Sequence, residues 1–344
     1  MRRVGSRRRG ARFQRAASAL LPTPRCSGNG VDLLVASIAG FGSYLPARVV
    51  TSADLAAQLD CTPEWILEVS GIEERRYAAP DEDVVAMGVA AARNCLDRAQ
   101  CPAADIRLLI VSSASSPQRF PGPAAAIAAQ LGLGEIPAID IPVASAGSLF
   151  GLALASHLAA SSGPVLVVAT EKMSGAISLQ PDQRNTAILF GDGAGACLVR
   201  EGAGLLRIAD RELGSDGTFA PDLRLPLAGP VEMNGRSVIM QATRKMPRAI
   251  LAVLERSGVP PGDVQAFLMH QANQNLMDRV AKSVGAPADR FYSNIRRYGN
   301  TSSASMLIAA AEWWSGAALH PGAPVCFAAF GAGFHWGAIL AITE

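Results

Sequence analysis

The sequence predicts an α/β protein built from two halves that repeat one strand–helix pattern. Short apolar runs typical of buried strands alternate with longer Ala-rich runs typical of helices. This alternation favours helices layered on sheets over an all-β or all-helical fold. The rhythm of residues 31–204 returns in residues 205–344, which we interpret as an internal duplication. With 344 residues, 49% of them apolar, the chain can bury a large core.

Apolar runs and capping residues set the elements of the first half. Ser52 and Thr62 are predicted helix N-caps, and the Gly191–Gly195 run leads into a strand. The predicted elements are strand Val31–Leu45, helices Ser52–Leu59, Thr62–Ser70 and Asp83–Ala99, strand Ile106–Ser113, helix Pro123–Leu131, strand Ala138–Val143, helix Ala146–Ala160, and strands Pro164–Thr170 and Ala196–Val199.

The second half is predicted in the same way. Its elements are strands Leu205–Leu213 and Arg236–Met240, helix Thr243–Ser257, strand Ala266–His270, helices Gln274–Val284 and Ser302–Ser315, and strands Val325–Phe330 and Gly337–Ile342.

Residues 1–30 differ in composition from the rest of the chain. They hold eight arginines and no acidic residue, which leaves 23 of the 31 basic residues against 29 acids elsewhere. An organellar transit peptide and a nucleic-acid arm are two interpretations. We predict a disordered Arg-rich extension instead, because the first strand-like run begins only at Val31. The basic pI therefore describes this tail and gives no reason to expect a nucleic-acid partner.

Several classes of protein are disfavoured by composition. No apolar run is long enough to predict a membrane span. The six cysteines are scattered without a CxxC pair, which suits reduced thiols in a cytoplasmic protein and predicts no metal site. The glycine run Gly191–Gly195 precedes a strand-like stretch rather than a helix, so a dinucleotide site is a poor interpretation. We expect no tightly bound cofactor.

Ser145 directly follows a predicted buried strand and precedes a predicted helix. A nucleophile in this position gains from the helix dipole and from free backbone N–H groups that can hold an oxyanion. Ordinary N-cap serines occur at the same kind of junction. The local pattern alone favours the cap.

Two further polar residues stand in apolar surroundings. His270 ends an apolar strand in the run Phe267–Asn273, as a general base or a core histidine would. Asn300 lies at a turn before a helix, where asparagine caps turns or donates its amide to a developing enolate. The Gly331–Gly337 run predicts a tight turn that lets backbone approach a ligand closely.

Together, motifs in a fixed order resemble the β-ketoacyl-acyl-carrier-protein synthase III family over nearly all of residues 31–344. The resemblance implies a thiolase-like fold, with duplicated βαβαβαββ halves in a five-layer αβαβα arrangement. The motifs are Gly42–Pro46 through Thr51–Leu55, Glu64–Ile66 through Ser70–Arg76, Leu189–Gly195, Asn234–Arg236, His270–Asn273, Tyr298–Ser302 and Gly331–Gly337.

The same resemblance implies the roles of the polar residues. The family uses a Cys–His–Asn triad, and the matching positions are Ser145, His270 and Asn300. The cysteine takes an acyl group from a coenzyme A thioester, and the other two residues promote decarboxylation of malonyl-carrier protein. An oxyanion hole is implied at the backbone N–H groups of Ser145 and Ala332. Contacts to coenzyme A or phosphopantetheine are implied for Trp65, Arg184 and Asn273.

This chain departs from the family pattern at several of these positions. A serine hydroxyl needs a base such as His270 to attack, whereas a thiol is partly ionised at neutral pH. An acyl-serine is an oxyester and therefore less electrophilic than a thioester, so we expect condensation to be slowed more than acyl transfer. Arginines common in the family are replaced by Val69 and Asn275, which weakens phosphate recognition and favours a carrier-protein donor.

The leading hypothesis is an acyltransferase of this type, acting in fatty-acid or polyketide-type biosynthesis on an acyl-coenzyme A or acyl-carrier-protein thioester, as a dimer. One alternative is a non-catalytic partner subunit in a heterodimer with a cysteine-bearing paralogue. Another is a malonyl-carrier-protein decarboxylase that relies on His270 and Asn300 without acylation.

Overall fold

The computed structural model describes residues 36–318 and 320–344. The predicted disordered extension of residues 1–30, and residues 31–35 of the first predicted strand, lie outside the described residues.

The described residues form strands and helices in alternation. The strands are β1 (Ala36–Tyr44), β2 (Arg48–Thr51), β3 (Glu74–Tyr77), β4 (Leu108–Ser112), β5 (Ala138–Ile141), β6 (Val165–Lys172), β7 (Asp192–Glu201), β8 (Leu206–Ser215), β9 (Leu223–Arg224), β10 (Glu232–Met233), β11 (Ala266–Met269), β12 (Pro324–Gly331) and β13 (His335–Thr343). The helices are α1 (Ser52–Ala56), α2 (Pro63–Ser70), α3 (Val84–Arg98), α4 (Pro123–Leu131), α5 (Gly147–Ser162), α6 (Arg184–Ala187), α7 (Gly235–Arg256), α8 (Gln274–Val284), α9 (Ile295–Tyr298) and α10 (Ser305–Gly316).

Nine strands form one mixed sheet in the order β11-β12-β13-β8-β1-β7-β6-β4-β5. Strands β1 and β8 pair over only two residue pairs, so the sheet consists of two half-sheets with a narrow junction. Counted outward from this junction, the first half-sheet has the order β1-β7-β6-β4-β5, and the second has the order β8-β13-β12-β11. In the second half, a single parallel bridge from Phe267 to Phe291 stands where the first half has β5. This matching order confirms the predicted duplication.

Helices α5 and α10 pack between the two half-sheets in one buried cluster with strands of both halves. Helices α3 and α4 cover the outer face of the first half-sheet, and α7 and α8 cover that of the second. Alternate residues of a strand serve different layers: Ile110 of β4 faces the central helices, whereas Leu109 and Val111 face the outer ones. The predicted five-layer αβαβα arrangement of a thiolase-like fold is therefore confirmed.

The predictions differ most from the structure at two places. The predicted strand Arg236–Met240 is wrong, because these residues form the first turns of α7. The side chain of Asn234 caps this helix by accepting from the Ser237 backbone N–H at 3.2 Å, so the cap overrides the β-branched run that follows. Helix α1 is shorter than predicted, and Thr51 rather than Ser52 is its N-cap.

Among the helices of the described residues, none combines the length and apolar character needed to span a bilayer.

Candidate active site

One cavity brings together residues from both halves of the chain. Ser145 comes from the junction between β5 and α5, and His270 directly follows β11. Asn300 lies in the turn after α9, and Ala332 follows β12. All four line the same cavity together with Asn273. The duplicated fold therefore gathers five of the seven predicted site residues at the junction of its halves.

Ser145 does not cap the helix that follows it. The N-cap of α5 is Ala146, and no side chain caps this helix. Ser145 has a left-handed backbone with φ of +26°, which is uncommon for a residue with a side chain and is concentrated at functional sites. Its hydroxyl has no hydrogen-bond partner within residues 36–318 and 320–344. The cap interpretation favoured by the local sequence is therefore wrong.

The turn after β12 packs directly on the Ser145 backbone. A Cβ atom at Gly331 would lie 2.8 Å from the Ala146 nitrogen and 2.9 Å from the Ala144 carbonyl oxygen. It would also lie 3.0 Å from Ser145 Cβ. Glycine is required here because backbone approaches backbone this closely, and the approach carries the next residue, Ala332, to the cavity wall.

His270 is 3% exposed, and its hydrogen bonds define its tautomer. Its Nδ1 lies 2.6 Å from Ser305 Oγ. The Ser305 hydroxyl also lies 3.0 Å from the Ser302 carbonyl oxygen, to which it can donate its single proton. With the proton placed there, the hydroxyl accepts from His270 Nδ1–H, and on this basis we assign the imidazole proton to Nδ1 and the lone pair to Nε2.

Burial lowers the pKa of His270 to about 4. The imidazole is therefore neutral at neutral pH. A neutral imidazole can accept a proton from a nucleophile, which an imidazolium cannot.

This depressed pKa predicts a pH-dependent stability. Unfolded His270 binds a proton below pH 6.5 and the folded form only below about 4, so stability is lost as pH falls through this window. The loss approaches roughly 3 kcal/mol. Urea unfolding from pH 7 to 4.5 should show a steeper decline for the wild type than for His270→Gln. Parallel declines would contradict the prediction.

The side chain of Asn300 is held in one orientation. Its Oδ1 accepts from the Ser302 backbone N–H at 2.8 Å, and its Nδ2 donates to the Ala272 carbonyl oxygen at 3.4 Å. Because an amide nitrogen has two hydrogens, one donor remains for a ligand in the cavity. This geometry suits donation to an oxygen that gains negative charge.

Of the three residues expected to contact coenzyme A, Asn273 lines the cavity, whereas Trp65 and Arg184 lie next to each other outside it. Asn273 lines the cavity, but its side chain caps α8 and donates to the Val69 carbonyl oxygen at 2.8 Å. The guanidinium of Arg184 lies 5.5 Å from the ring centroid of Trp65 and donates to the Asp60 carbonyl oxygen. Neither Trp65 nor Arg184 lines the cavity.

Val69 and Asn275, the two positions at which the resemblance implies an arginine, lie at one contact between α2 and α8. Val69 accepts from the Asn273 side chain, and Asn275 Nδ2 donates to the Glu68 carbonyl oxygen at 2.9 Å. Neither residue therefore supplies positive charge to this region.

Sequence reasoning missed three residues that hold the site together. Ser302 Oγ accepts from the Ser145 backbone N–H at 3.1 Å, Ser305 contacts His270, and Glu171 is fully buried near the end of β6. The Glu171 carboxylate accepts from the hydroxyls of Ser303 and Ser115, both at 2.6 Å, and so fixes the serine turn to a neighbouring loop. Two features of the sequence could have indicated these residues: the serine-rich run after Asn300, and the carboxylate of Glu171 at the end of an apolar strand.

The remaining cavity wall is mainly apolar. Leucine, valine and phenylalanine side chains contribute, and methionines are frequent, a residue type that adapts to flexible apolar ligands. The methionines are Met173, Met233, Met246, Met269 and Met277.

A duplicated five-layer fold with a histidine and an asparagine facing the start of the central helix defines the thiolase-like class of acyl-transferring enzymes. Within this class, the model for 3-oxoacyl-[acyl-carrier-protein] synthase III matches residues 139–217, and the model for its C-terminal part matches residues 254–342. The chain belongs to the β-ketoacyl-acyl-carrier-protein synthase III family and is an acyltransferase.

Individual relatives support this membership. The synthase III of Bacillus pumilus is 38% identical over 309 residues, covering 88% of this chain and 97% of the relative. That of Chlamydia caviae is 35% identical over 323 residues, covering 89% and 96%. The crystal structure of the Aquifex aeolicus synthase III is 34% identical with a TM-score of 0.85, covering 89% and 99%. A priming β-ketosynthase from the R1128 polyketide pathway is 34% identical with a TM-score of 0.83, covering 90% and 96%.

Proposed function

We propose that this protein transfers an acyl group from a thioester to Ser145, as a step in fatty-acid or polyketide-type biosynthesis. The observation that carries the proposal is the shared cavity, which is lined by Ser145 with its strained backbone, by the neutral His270 and by a mainly apolar wall. An apolar acyl chain suits that wall, and the thioester carbonyl would meet the polar end.

Each residue has a defined part in the proposed acylation. His270 Nε2 removes the proton of Ser145 Oγ as this oxygen attacks the thioester carbonyl. The backbone N–H groups of Ser145 and Ala332 hold the oxygen of the tetrahedral intermediate. The new C–O bond forms, the C–S bond breaks, and the proton passes from His270 to the leaving thiolate. These steps need no resident cofactor, since the acyl thioester is itself the substrate.

In this proposal, decarboxylative condensation is slower than transfer of the acyl group from Ser145 to another nucleophile. His270 and Asn300 would hold the enolate oxygen formed when a malonyl thioester loses carbon dioxide. The acyl oxyester on Ser145 is a weaker electrophile than a thioester, so transfer to another nucleophile competes well with carbon–carbon bond formation.

The donor in this proposal is a carrier protein rather than free coenzyme A. Val69 and Asn275 leave the α2–α8 surface without two cations that would bind the phosphates of coenzyme A. Phosphopantetheine on a carrier protein has fewer phosphates and gains affinity from contacts between the two proteins. Trp65 and Arg184 would then contact whichever donor is bound, outside the cavity.

Intact-protein mass spectrometry with a panel of acyl thioesters tests acylation directly. We expect the mass of one acyl group to be added to the wild type, and no addition to Ser145→Ala. Peptide mapping should locate the group on Ser145. An adduct that persists in Ser145→Ala, or none with any donor, would overturn the proposal; carbon dioxide release from malonyl-carrier protein without an adduct would favour the decarboxylase.

We also propose that the protein is a cytoplasmic dimer. Strand β5 ends the sheet, so one of its backbone edges is free for pairing within the described chain, and its Ile139 is 45% exposed. The nearby loop exposes Phe120, at 85%. Sedimentation of the pure protein distinguishes the arrangements: a homodimer is expected, whereas a monomer that dimerises only with a cysteine-bearing paralogue would favour the partner-subunit alternative.

A further inference from the structure

Two serines with left-handed backbones line the cavity and contact each other. Ser145 has φ of +26° and Ser302 has φ of +47°. The backbone N–H of Ser145 donates to Ser302 Oγ at 3.1 Å, although the two residues are 157 positions apart. Left-handed serines are uncommon, and a hydrogen bond between two of them at one cavity points to a functional arrangement.

The backbone of Ser302 is fixed on both sides, whereas its hydroxyl makes one hydrogen bond within the described residues, to the Ser145 N–H. Its N–H donates to Asn300 Oδ1 at 2.8 Å, and its carbonyl oxygen accepts from Ser305 Oγ at 3.0 Å. The side chain is 2% exposed and lines the cavity. Rotation about a single bond would withdraw its oxygen from Ser145 without moving the turn.

The Ser302 hydroxyl accepts a hydrogen bond from the Ser145 N–H, and this is the same N–H that we expect to hold the acyl oxygen. A buried N–H with no acceptor is costly, so a vacant oxyanion hole would destabilise the unacylated protein. The Ser302 hydroxyl satisfies this N–H with an oxygen from the protein itself. An incoming carbonyl oxygen must therefore replace it.

We propose that the hydroxyl of Ser302 is a placeholder for the acyl oxygen: it accepts the Ser145 N–H in the free protein and yields it to the thioester carbonyl during acylation. This inference rests on the proposed acylation of Ser145. Ser302 would then be a positioning residue, distinct from the proposed triad and from the two N–H groups of the oxyanion hole.

Removing the hydroxyl should free the oxyanion hole for the substrate. When the Ser302 hydroxyl competes with the thioester carbonyl for the Ser145 N–H, one neutral hydrogen bond should lower the acylation rate about threefold to tenfold. We therefore expect Ser302→Ala and Ser302→Gly to accelerate acylation by about this factor. Glycine adopts a left-handed backbone without strain, so Ser302→Gly keeps the turn folded even where alanine does not.

The matched control is Ser303→Ala. The Ser303 hydroxyl belongs to the same turn but bonds to Glu171 Oε1 at 2.6 Å instead of Ser145. Its loss should lower stability without freeing the oxyanion hole. Three measurements compare the variants: the Ser145 amide resonance of the unacylated protein by ¹H–¹⁵N NMR, the acylation rate by mass spectrometry, and the carbonyl stretch of the acyl-enzyme by infrared spectroscopy.

We expect both Ser302 variants, but not Ser303→Ala, to shift the Ser145 amide resonance and accelerate acylation. The carbonyl frequency should stay at its wild-type value, because the hydroxyl has already yielded the N–H in the acyl-enzyme. An unshifted Ser145 resonance in Ser302→Gly would overturn the placeholder, because it would show that the hydroxyl does not occupy the N–H. Acylation slowed or unchanged in both variants would also overturn it. The NMR measurement needs no acylation, so failure of the placeholder and failure of the proposed function give different results.

Discussion

Replacing Ser145 by cysteine should raise the rate of acylation by a thioester roughly 100-fold. A cysteine thiol is a few per cent ionised at neutral pH and is intrinsically a strong nucleophile, whereas the hydroxyl depends on a base at the moment of attack. The two side chains are similar in size, and both meet the same left-handed backbone at φ of +26°. The acyl-thioester formed would also stay electrophilic, so condensation with malonyl-carrier protein should become measurable.

Quenched-flow mass spectrometry measures acylation, and the ketoacyl product measures condensation. The matched control is Ser148→Cys, which adds a thiol one turn of α5 further on, at a side chain that is fully buried and does not line the cavity. It should leave both rates unchanged. If Ser145→Cys acylates no faster than the wild type, proton removal from the hydroxyl does not limit the reaction.

The fold could be predicted largely because its signals are local and repeated. Apolar strands such as β4 and Ala-rich helices such as α3 carry their pattern in consecutive residues. The error at Arg236–Met240 has a physical reason. The five residues alone are typical of a strand, but the Asn234 cap and the amphipathic sequence that follows stabilise helix α7 instead. Local preference was overridden by a neighbouring cap and by tertiary packing.

The candidate site was predictable only in part. Motifs located Ser145, His270 and Asn300, and the fold brings them to one cavity. No local pattern reports the left-handed backbone of Ser145, since serine seldom adopts it. The hydrogen bond to Ser302 joins residues 157 positions apart, so it exists only in the folded chain.

Replacing His270 by glutamine should lower acylation of Ser145 by about 10²–10⁴-fold, the usual worth of a positioned general base. Glutamine is close in size and neutral, as His270 is at neutral pH, but its amide is not basic. In the Ser145→Cys background the same change should cost far less, because a thiol ionises without this base. The two losses together form a double-mutant cycle whose coupling measures proton transfer from the hydroxyl to His270.

Asn300→Ala provides the control for this cycle. Asn300 contacts the backbone of Ser302 and Ala272 and has no part in deprotonating the nucleophile, so its loss should change acylation by the same factor in both backgrounds. Acylation rates of all variants are compared at pH 7 with one acyl thioester. An equal His270→Gln loss with serine and with cysteine would mean that His270 acts on the thioester instead of the nucleophile. The large asymmetry expected here would assign the base, because only an oxygen nucleophile depends on it.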